Sequence, residues 1–336
     1  MLRSAIIGTG FYVPENVVTN EDLTKLMDTS DDWIKERSGI SERRWVTLGE
    51  DGNTTITGAA MGARAAEMAI EAAGIDKNEI QQVIFATLNP DVAFPGNGVF
   101  VEECLGLNTA GAMDIRNQCT GFVYGLAAAD GFIRSGVAST VLVIGGEIHS
   151  TAMDISTRGR DISVLFGDGA GAVILQATEE DRGVIASVLH SQGRFARDLW
   201  LEAPVATMPG RINQEMIDEG RHFPRMNGPM VFKHATRRFC ESINEVLEKG
   251  RFKIEDVDLL VPHQANQRIT DAVGQRMGLS KDKVFSNIAR YGNTTAATIP
   301  IALAEAEREG RLKKGNLVVT VAFGSGFTWG ANLIRW

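Results

Sequence analysis

The sequence predicts an α/β protein made of two similar halves, and three observations lead to this fold class. Apolar runs of strand length recur along the chain, separated by longer helical stretches that are rich in alanine and glycine. Several of these runs are apolar without alternation, as in parallel strands that helices cover on both faces. The order of strands, polar corners and small-residue helices in the first half also recurs in the second half. At 336 residues, the chain is long enough for two such units.

In the first half, each predicted strand is an apolar run bounded by glycine, proline or polar residues. The predicted strands cover residues 4–9, 82–88, 112–115, 140–144 and 166–175. The predicted helices begin at capping residues or end at glycines, and they cover residues 54–74, 95–107 and 120–133. Two further helices are predicted to begin near Thr19 and beyond Asp31, where hydroxyl and acidic residues cluster.

The charged segment 179–183 is the predicted boundary between an amino-terminal half, residues 1–178, and a carboxyl-terminal half, residues 179–336. Beyond it, the pattern repeats with strands over residues 257–261, 284–288 and 317–322 and a small-residue helix over 294–309. The polar stretch 191–228 has little periodicity, and we expect it to be an excursion near the entrance of a site.

Composition excludes several classes of function. A net charge of −8 argues against general attraction to nucleic acid or to an anionic membrane. Three widely spaced cysteines form neither a disulfide framework nor a metal-ligand pattern, which fits a reducing cytoplasm. The first residues run directly into a predicted strand, and no apolar run reaches 18 residues. We therefore expect a cytoplasmic protein without a signal peptide, a membrane span or a bound metal.

Cys119 is the main candidate for chemistry. It follows the polar corner 116–118 and opens a helix that is almost entirely apolar, so we expect the helix to be buried on nearly all sides. A cysteine in the first turn of a helix faces free backbone N–H groups, which favour the thiolate and can hold an oxyanion. The alternative is that Cys119 is one more buried small residue, as most free cysteines are.

Two polar residues in the second half are candidates to work with this thiol. His263 directly follows the predicted strand 257–261, and Asn293 lies near the position that corresponds to Cys119 in the repeat. Among the five histidines, His149 is the main competitor, because it also follows a strand end. The glycine-rich run 323–327 permits a tight turn that could direct a backbone N–H toward the site, or it could be a structural bulge.

These segments together resemble the β-ketoacyl-acyl-carrier-protein synthase III family of thiolase-fold condensing enzymes. The resemblance covers nearly the whole chain and rests on the corner at Cys119 and on five further motifs. These are DTSDDWIKERSGISERR (28–44), FGDGAGAVIL (166–175), VPHQANQRI (261–269), YGNTTAATIP (291–300) and FGSGFTWGA (323–331). It implies two pseudo-symmetric halves in a layered αβαβα sandwich, and a homodimer.

The resemblance also implies a reaction in fatty-acid biosynthesis or in a specialised acyl pathway. Cys119 would accept an acyl group from acyl-CoA, and His263 and Asn293 would bind the thioester carbonyl of a malonyl group on acyl carrier protein or coenzyme A. Decarboxylation of that group would give the carbanion that attacks the acyl-cysteine. The backbone N–H groups of Cys119 and Ser325 would form the oxyanion hole. No cofactor is implied, since acyl-CoA is a substrate.

By the same resemblance, three groups of residues would bind the substrates. Coenzyme A would contact Trp33, Arg37, Arg160, Gly228 and Asn266, although Arg158 competes with Arg160 because the register of that loop is open. The acyl pocket would include Phe94 of the partner subunit together with Gln118 and Phe166. The acidic carrier protein would dock on Lys233, Arg268 and Arg276, each of which could also be an ordinary surface charge.

Two alternatives share the fold but not the reaction. The chain could be an acyltransferase to another nucleophile, or a non-decarboxylating Claisen enzyme of secondary metabolism. The latter use a glutamate base at the position of Phe94, so phenylalanine argues against that reaction. A catalytically silent partner protein is disfavoured because Cys119, His263 and Asn293 are all present. The sequence departs from the pattern of the resembling family at residues 117–118, at Ser325 and in 191–228. These departures leave the choice of acyl primer open.

Overall fold

The computed structural model describes residues 2–336, so Met1, with which the predicted first half begins, lies outside the described residues. The strands are β1 (Arg3–Tyr12), β2 (Val17–Thr19), β3 (Glu42–Arg44), β4 (Gln82–Ala86), β5 (Gly111–Ile115), β6 (Thr140–Glu147), β7 (Gly169–Thr178), β8 (Gly183–Ser191), β9 (Leu199–Trp200), β10 (Arg225–Met226), β11 (Leu259–Pro262), β12 (Leu317–Gly324) and β13 (Thr328–Arg335). The helices are α1 (Asn20–Thr24), α2 (Asp31–Ser38), α3 (Gly58–Ala73), α4 (Asn97–Leu105), α5 (Gly121–Arg134), α6 (Arg160–Ser163), α7 (Gln214–Asp218), α8 (Gly228–Gly250), α9 (Gln267–Met277), α10 (Ile288–Tyr291) and α11 (Thr298–Arg308). None of the helices described between residues 2 and 336 is long and apolar enough to cross a membrane.

Two mixed sheets have the same strand arrangement. The first has the order β1-β7-β6-β4-β5, in which β6, β4 and β5 are mutually parallel and β7 is antiparallel to both neighbours. The second has the order β8-β13-β12-β11, in which β12 and β11 are parallel and β13 is antiparallel to both neighbours. The repeat read from the sequence is therefore a repeat of topology.

The sheets and helices form five layers. α3 and α4 cover the outer face of the first sheet, and α8 and α9 cover the outer face of the second. α5 and α11 lie between the sheets and contact strands of both. Their apolar side chains, among them Phe122, Leu126 and Leu303, belong to one core cluster with residues of both sheets. Helices in this middle layer are buried on opposite faces, which explains why their sequences are almost entirely apolar.

Most predicted elements are confirmed with small shifts at their ends. α3 begins at Gly58 rather than at residue 54, because the Thr57 side chain caps it by accepting from the N–H of Ala60. α1 begins with a capping box between Thr19 and Asp22. The strand predicted from residue 166 begins at Gly169 as β7.

Three predictions about local structure are wrong. Residues 284–288 do not form a strand, since Val284 makes a single parallel bridge to Leu260 and α10 begins at Ile288. That bridge takes the place that β5 occupies in the first sheet. Cys119 lies before α5 rather than in its first turn, and the helix predicted from residue 294 begins as a 3₁₀ turn, Thr295–Ala297.

The predicted boundary at residue 179 falls in the connection between β7 and β8. The first sheet draws its strands from Arg3–Thr178, and the second draws its strands from Gly183–Arg335. The middle-layer core nevertheless joins both parts, so the division into two halves stays a description of the repeat.

Candidate active site

Cys119 lies in a 3₁₀ turn, Gln118–Thr120, which connects β5 to α5. Gln118 adopts a left-handed φ of 46°, a strained conformation of the kind that clusters at functional sites. The end of β12, which belongs to the second sheet, lies directly against the thiol. A Cβ atom at Gly324 would lie 2.7 Å from Cys119 Cβ and 3.2 Å from its Sγ, so only glycine leaves room for the thiol there.

The cysteine rests as a thiol rather than a thiolate. Burial raises the pKa of Cys119 to about 12, and the nearby Glu147 carboxyl adds to this shift. The backbone N–H groups of Cys119 and Ser325 act in the opposite direction, and they are the two groups that the resemblance implies for the oxyanion hole. The expected stabilisation of the thiolate at a helix start is therefore outweighed by desolvation. The thiol has to lose its proton as the sulfur attacks.

His263 follows β11 and is only 1% exposed. Its backbone N–H donates to the Val321 carbonyl at 2.8 Å, which fixes the end of β11 beside β12. Its Nδ1 lies 2.7 Å from the Thr298 hydroxyl at the start of α11, and its Nε2 has no partner among residues 2–336. Because burial lowers the pKa of His263 to about 3, the imidazole is neutral at physiological pH.

Asn293 is held by its backbone against one segment of the first half, residues 165–167. Its N–H donates to the Leu165 carbonyl at 2.8 Å, and its carbonyl accepts from the N–H of Gly167 at 3.2 Å. The side-chain Oδ1 accepts from the N–H of Thr295 at 2.9 Å. With the oxygen of the amide engaged in this way, the Nδ2 group is the part of the Asn293 side chain that remains to donate.

One cavity of about 1030 Å³ is lined by Cys119, His263 and Asn293. The structure thus brings together the three residues that the sequence singled out from segments far apart in the chain. Other predicted site residues that line the same cavity are Trp33, Arg37, Phe166, Gly228, Asn266 and Arg268. The excursion 191–228 also contributes to its wall, through Leu199 and residues between 219 and 226.

A cluster of an aromatic ring and two guanidinium groups lies where α2 meets the loop before β7. The Arg37 guanidinium lies 4.4 Å from the centroid of the Trp33 ring, and the Arg160 guanidinium lies 5.2 Å from it. Asn266 Nδ2 donates to the Arg37 carbonyl at 2.8 Å, which joins α9 to α2. Arg158 pairs with Asp154 at 2.6 Å and lines the cavity, whereas Arg160 lies over the Trp33 ring and is not among the residues that line the cavity.

Other predicted site residues lie away from this cavity or at its edge. Phe94 is 82% exposed on the surface. Gln118 and Ser325 flank the thiol through the backbone, and the Ser325 hydroxyl donates to the Leu199 carbonyl. Lys233 and Arg276 are exposed on α8 and α9.

Sequence reasoning missed two buried groups beside the site. Glu147 is fully buried at the end of β6, where it accepts from the Thr87 hydroxyl and from the N–H of Asn89, and burial raises its pKa to about 7. Thr298 supports His263 and is 2% exposed. No signal in the sequence singles out Thr298, because Thr294 and Thr295 are hydroxyl residues in the same short stretch after Asn293.

The two buried histidines, His149 and His263, make the stability of the fold sensitive to acid. Burial lowers the pKa of each to about 3, below the ordinary value of 6.5, so the unfolded chain binds more protons than the folded one between these values. The stabilisation is complete above pH 6.5 and is lost as the pH falls toward 3. From pH 7 to pH 5 we expect each histidine to lower the free energy of unfolding by about 2 kcal/mol.

Urea denaturation of the wild type and of His149→Leu at both pH values measures this effect. The wild type should lose about 2 kcal/mol more than the variant between pH 7 and pH 5. Because other titrating groups, Glu147 included, are common to both proteins, they cancel in the comparison. Equal losses would mean that His149 is not held neutral by burial.

Comparison with known proteins shows the family. The model of 3-oxoacyl-[acyl-carrier-protein (ACP)] synthase III matches residues 113–193, and the model of its C-terminal part matches residues 247–336. Beta-ketoacyl-[acyl-carrier-protein] synthase III of Acidiphilium cryptum is 43% identical over 337 residues, covering 100% of both chains. The protein of the same name from Symbiobacterium thermophilum is 42% identical, covering 98% of this chain and 97% of its own.

The fold is equally close to that of a solved structure. The crystal structure of 3-oxoacyl-[acyl-carrier-protein] synthase III from Aquifex aeolicus VF5 superposes with a TM-score of 0.90 at 42% identity, covering 99% of this chain and 100% of that one. The predicted thiolase-like αβαβα fold is confirmed. Fold and relatives define a condensing enzyme, and its candidate site is a cavity lined by Cys119. The chain belongs to the β-ketoacyl-[acyl-carrier-protein] synthase III family.

Proposed function

We propose that this protein transfers an acyl group from coenzyme A to Cys119 and condenses it with a malonyl group on acyl carrier protein, as the first condensation of fatty-acid synthesis. The observation that carries the proposal is one cavity that contains a thiol, a carboxamide donor and an imidazole nitrogen that has no partner among the described residues. The names of the relatives, which are full-length matches, support the same reaction.

In the first half-reaction the Cys119 sulfur attacks the thioester carbonyl. The new carbon–sulfur bond replaces the bond to coenzyme A, which leaves as a thiol with the proton that Cys119 gives up. Negative charge develops on the carbonyl oxygen during the attack. The backbone N–H groups of Cys119 and Ser325 lie beside the sulfur, and fixed donors of this kind stabilise such an oxyanion without reorganisation.

In the second half-reaction the malonyl group loses carbon dioxide, and the electron pair of the broken bond passes into an enolate. His263 Nε2 and Asn293 Nδ2 are the two donors for the enolate oxygen. Both are neutral, since burial holds the His263 imidazole uncharged. For Nε2 to donate, Nδ1 has to accept from the Thr298 hydroxyl 2.7 Å away, so the proton of that hydroxyl must turn to Nδ1 from the Thr295 carbonyl, to which the hydroxyl otherwise donates at 2.9 Å. The enolate carbon then attacks the acyl-cysteine, and Cys119 is released as a thiolate that takes up a proton from water.

Trp33, Arg37 and Arg160 form the proposed binding site for the coenzyme A nucleotide. An adenine ring can stack on the indole or on a guanidinium plane, and the arginines can neutralise phosphate charge. Arg37 is exposed on α2, and Trp33 and Arg160 are half-buried, so a ligand can reach them from solvent.

Trp33→Ala should raise the KM for acyl-CoA by about tenfold, because stacking of one base on an aromatic side chain contributes about 1–3 kcal/mol. The amplitude of acyl-enzyme formation at saturating acyl-CoA should stay the same, since Trp33 does not touch the thiol. Steady-state kinetics with varied acyl-CoA measures the change. Trp33→Phe is the matched control and should keep most of the affinity. An unchanged KM in the alanine variant would exclude Trp33 from coenzyme A binding.

The carrier protein is the proposed macromolecular partner. With a net charge of −8, this chain needs a local basic surface to bind an acidic protein. Lys233, Arg268 and Arg276 are exposed on α8 and α9, and Arg268 also lines the cavity. We further propose a homodimer in which Phe94, 82% exposed, enters the acyl pocket of the partner subunit. Three free cysteines fit a cytoplasmic setting.

The test is incubation of the protein with a panel of short, branched, long and aromatic acyl-CoA thioesters, with malonyl-acyl carrier protein or malonyl-CoA as the extender. Mass spectrometry of the products should show a β-ketoacyl thioester on the carrier protein, together with free coenzyme A and carbon dioxide. A condensed product that joins two acyl groups and leaves the malonyl thioester unused would indicate a non-decarboxylating Claisen enzyme. Acyl transfer without any condensed product would indicate an acyltransferase to another nucleophile.

A further inference from the structure

His149 is a buried histidine that the proposed reaction does not use. It follows the end of β6, is 3% exposed, and is anchored by its backbone N–H, which donates to Asp168 Oδ1 at 2.6 Å. Its ring lies against Phe166, a residue of the cavity wall, with 4.5 Å between the ring centroids. Its Nε2 is hydrogen-bonded to the Thr295 hydroxyl. A buried imidazole is costly to desolvate, so this hydrogen bond, the one that its ring makes to a side chain of residues 2–336, is significant.

Thr295 is a junction between this histidine and the two residues proposed to stabilise the enolate. It is fully buried and has a left-handed φ of 53°, which is rare for a β-branched residue. Its N–H donates to Asn293 Oδ1 at 2.9 Å. Its carbonyl accepts from the backbone N–H of Thr298, whose hydroxyl lies 2.7 Å from His263 Nδ1. The backbone of Thr295 thus contacts Asn293 directly and His263 through Thr298.

We infer that His149 is a positioning residue for the condensation step. By holding the Thr295 side chain, it keeps the backbone of Thr295 in its left-handed conformation and so fixes the orientation of Asn293 and His263. A network whose members are all buried and hydrogen-bonded is rigid, and loss of one member shifts the others. The inference rests on the proposed roles of Asn293 and His263 in condensation.

The two half-reactions should depend on this network to different degrees. Acylation uses the Cys119 sulfur and the backbone N–H groups of Cys119 and Ser325. In the part of the chain that the structure describes, the side-chain hydrogen bonds of Thr295 and Asn293 do not reach these groups. Condensation uses the donors that Thr295 orients. A displacement on the order of 1 Å is enough to lower a rate about a hundredfold.

The experiment measures the acyl-enzyme burst and the turnover to β-ketoacyl product in the same full-length variants. Turnover should fall about 10- to 100-fold in His149→Leu and in Thr295→Val, while the burst rate changes less than about threefold. Thr295→Ser keeps the hydroxyl and should keep most of the turnover. The double variant should be no slower than the more impaired single variant, because both changes break one contact. Thr140→Val is the matched control and should behave as wild type, because Thr140 is a buried threonine at the end of β6 opposite to His149.

Two results would overturn the inference. Wild-type turnover in both His149→Leu and Thr295→Val would show that the contact positions nothing. Equal losses in the burst and in turnover, with a lowered Tm, would show a purely structural role. If the wild type itself formed no acyl-enzyme with any acyl-CoA tested, the proposed function would fail, and the inference would fail with it. A normal wild-type burst with either of the first two results overturns the inference alone.

Discussion

Cys119→Ser is expected to abolish the acyl-enzyme and to lower condensation by on the order of 10³-fold or more, as for other nucleophiles in covalent catalysis. Burial already raises the pKa of the thiol to about 12, and a serine hydroxyl at the same place is harder still to deprotonate. The substitution keeps the size of the side chain, so the narrow space beside Gly324 is not disturbed. The variant should fold and should bind acyl-CoA without turnover.

Mass spectrometry of the intact variant after incubation with acyl-CoA measures the effect. Cys104→Ser and Cys240→Ser are matched controls, since Cys104 is exposed, Cys240 is half-buried, and neither lines the cavity. Both controls should gain the mass of one acyl group as the wild type does. A similar gain in Cys119→Ser would mean that the acyl group resides on another residue.

His263→Ala is expected to separate the two half-reactions. Removing the imidazole takes away one of two donors to the enolate oxygen, and loss of one such donor typically costs about 10²–10³ in rate. Acylation should remain detectable, because its oxyanion is held by backbone N–H groups. Rapid-quench measurement of the acyl-enzyme, together with the rate of carbon dioxide release from malonyl-acyl carrier protein, follows the two steps separately.

The matched control for this variant is His190→Ala. His190 is a half-buried histidine that pairs with Glu245 and is not among the residues that line the cavity, so its loss should leave both half-reactions unchanged. Asn293→Ala should behave as His263→Ala does, because the two side chains are proposed to share one oxygen. If His263→Ala lost acylation and condensation in equal measure, the imidazole would act on the thiol and not on the enolate.

The sequence was informative about the fold because its signals are local. Unbroken apolar runs marked the parallel strands, and the apolar helix after Cys119 indicated a helix buried on both sides, as α5 is. The wrong predictions of local structure also have physical causes. Residues 284–288 have the apolarity of a strand, but the chain turns into α10 after one bridge to Leu260. A short run of apolar residues indicates burial, but it does not distinguish a strand from a buried extended loop.

The site was predictable in its residues but not in its electrostatics. Cys119, His263 and Asn293 stood out by their motifs, and they do line one cavity. The state of the thiol depends on how deeply the turn is buried and on the proximity of Glu147, neither of which local sequence shows. The contact of His149 with Thr295 joins residues 146 positions apart, so it could be found only in the folded protein.

The most direct test of the central claim is to locate the acyl group. The protein is incubated with a reactive acyl-CoA and digested with trypsin, which places the three cysteines on different peptides, and the peptides are sequenced by mass spectrometry. The account predicts that the acyl mass is found on the peptide 117–134 and on Cys119 within it. An acyl group on the peptide that carries Cys104 or Cys240, or no acylated peptide at all, would contradict it.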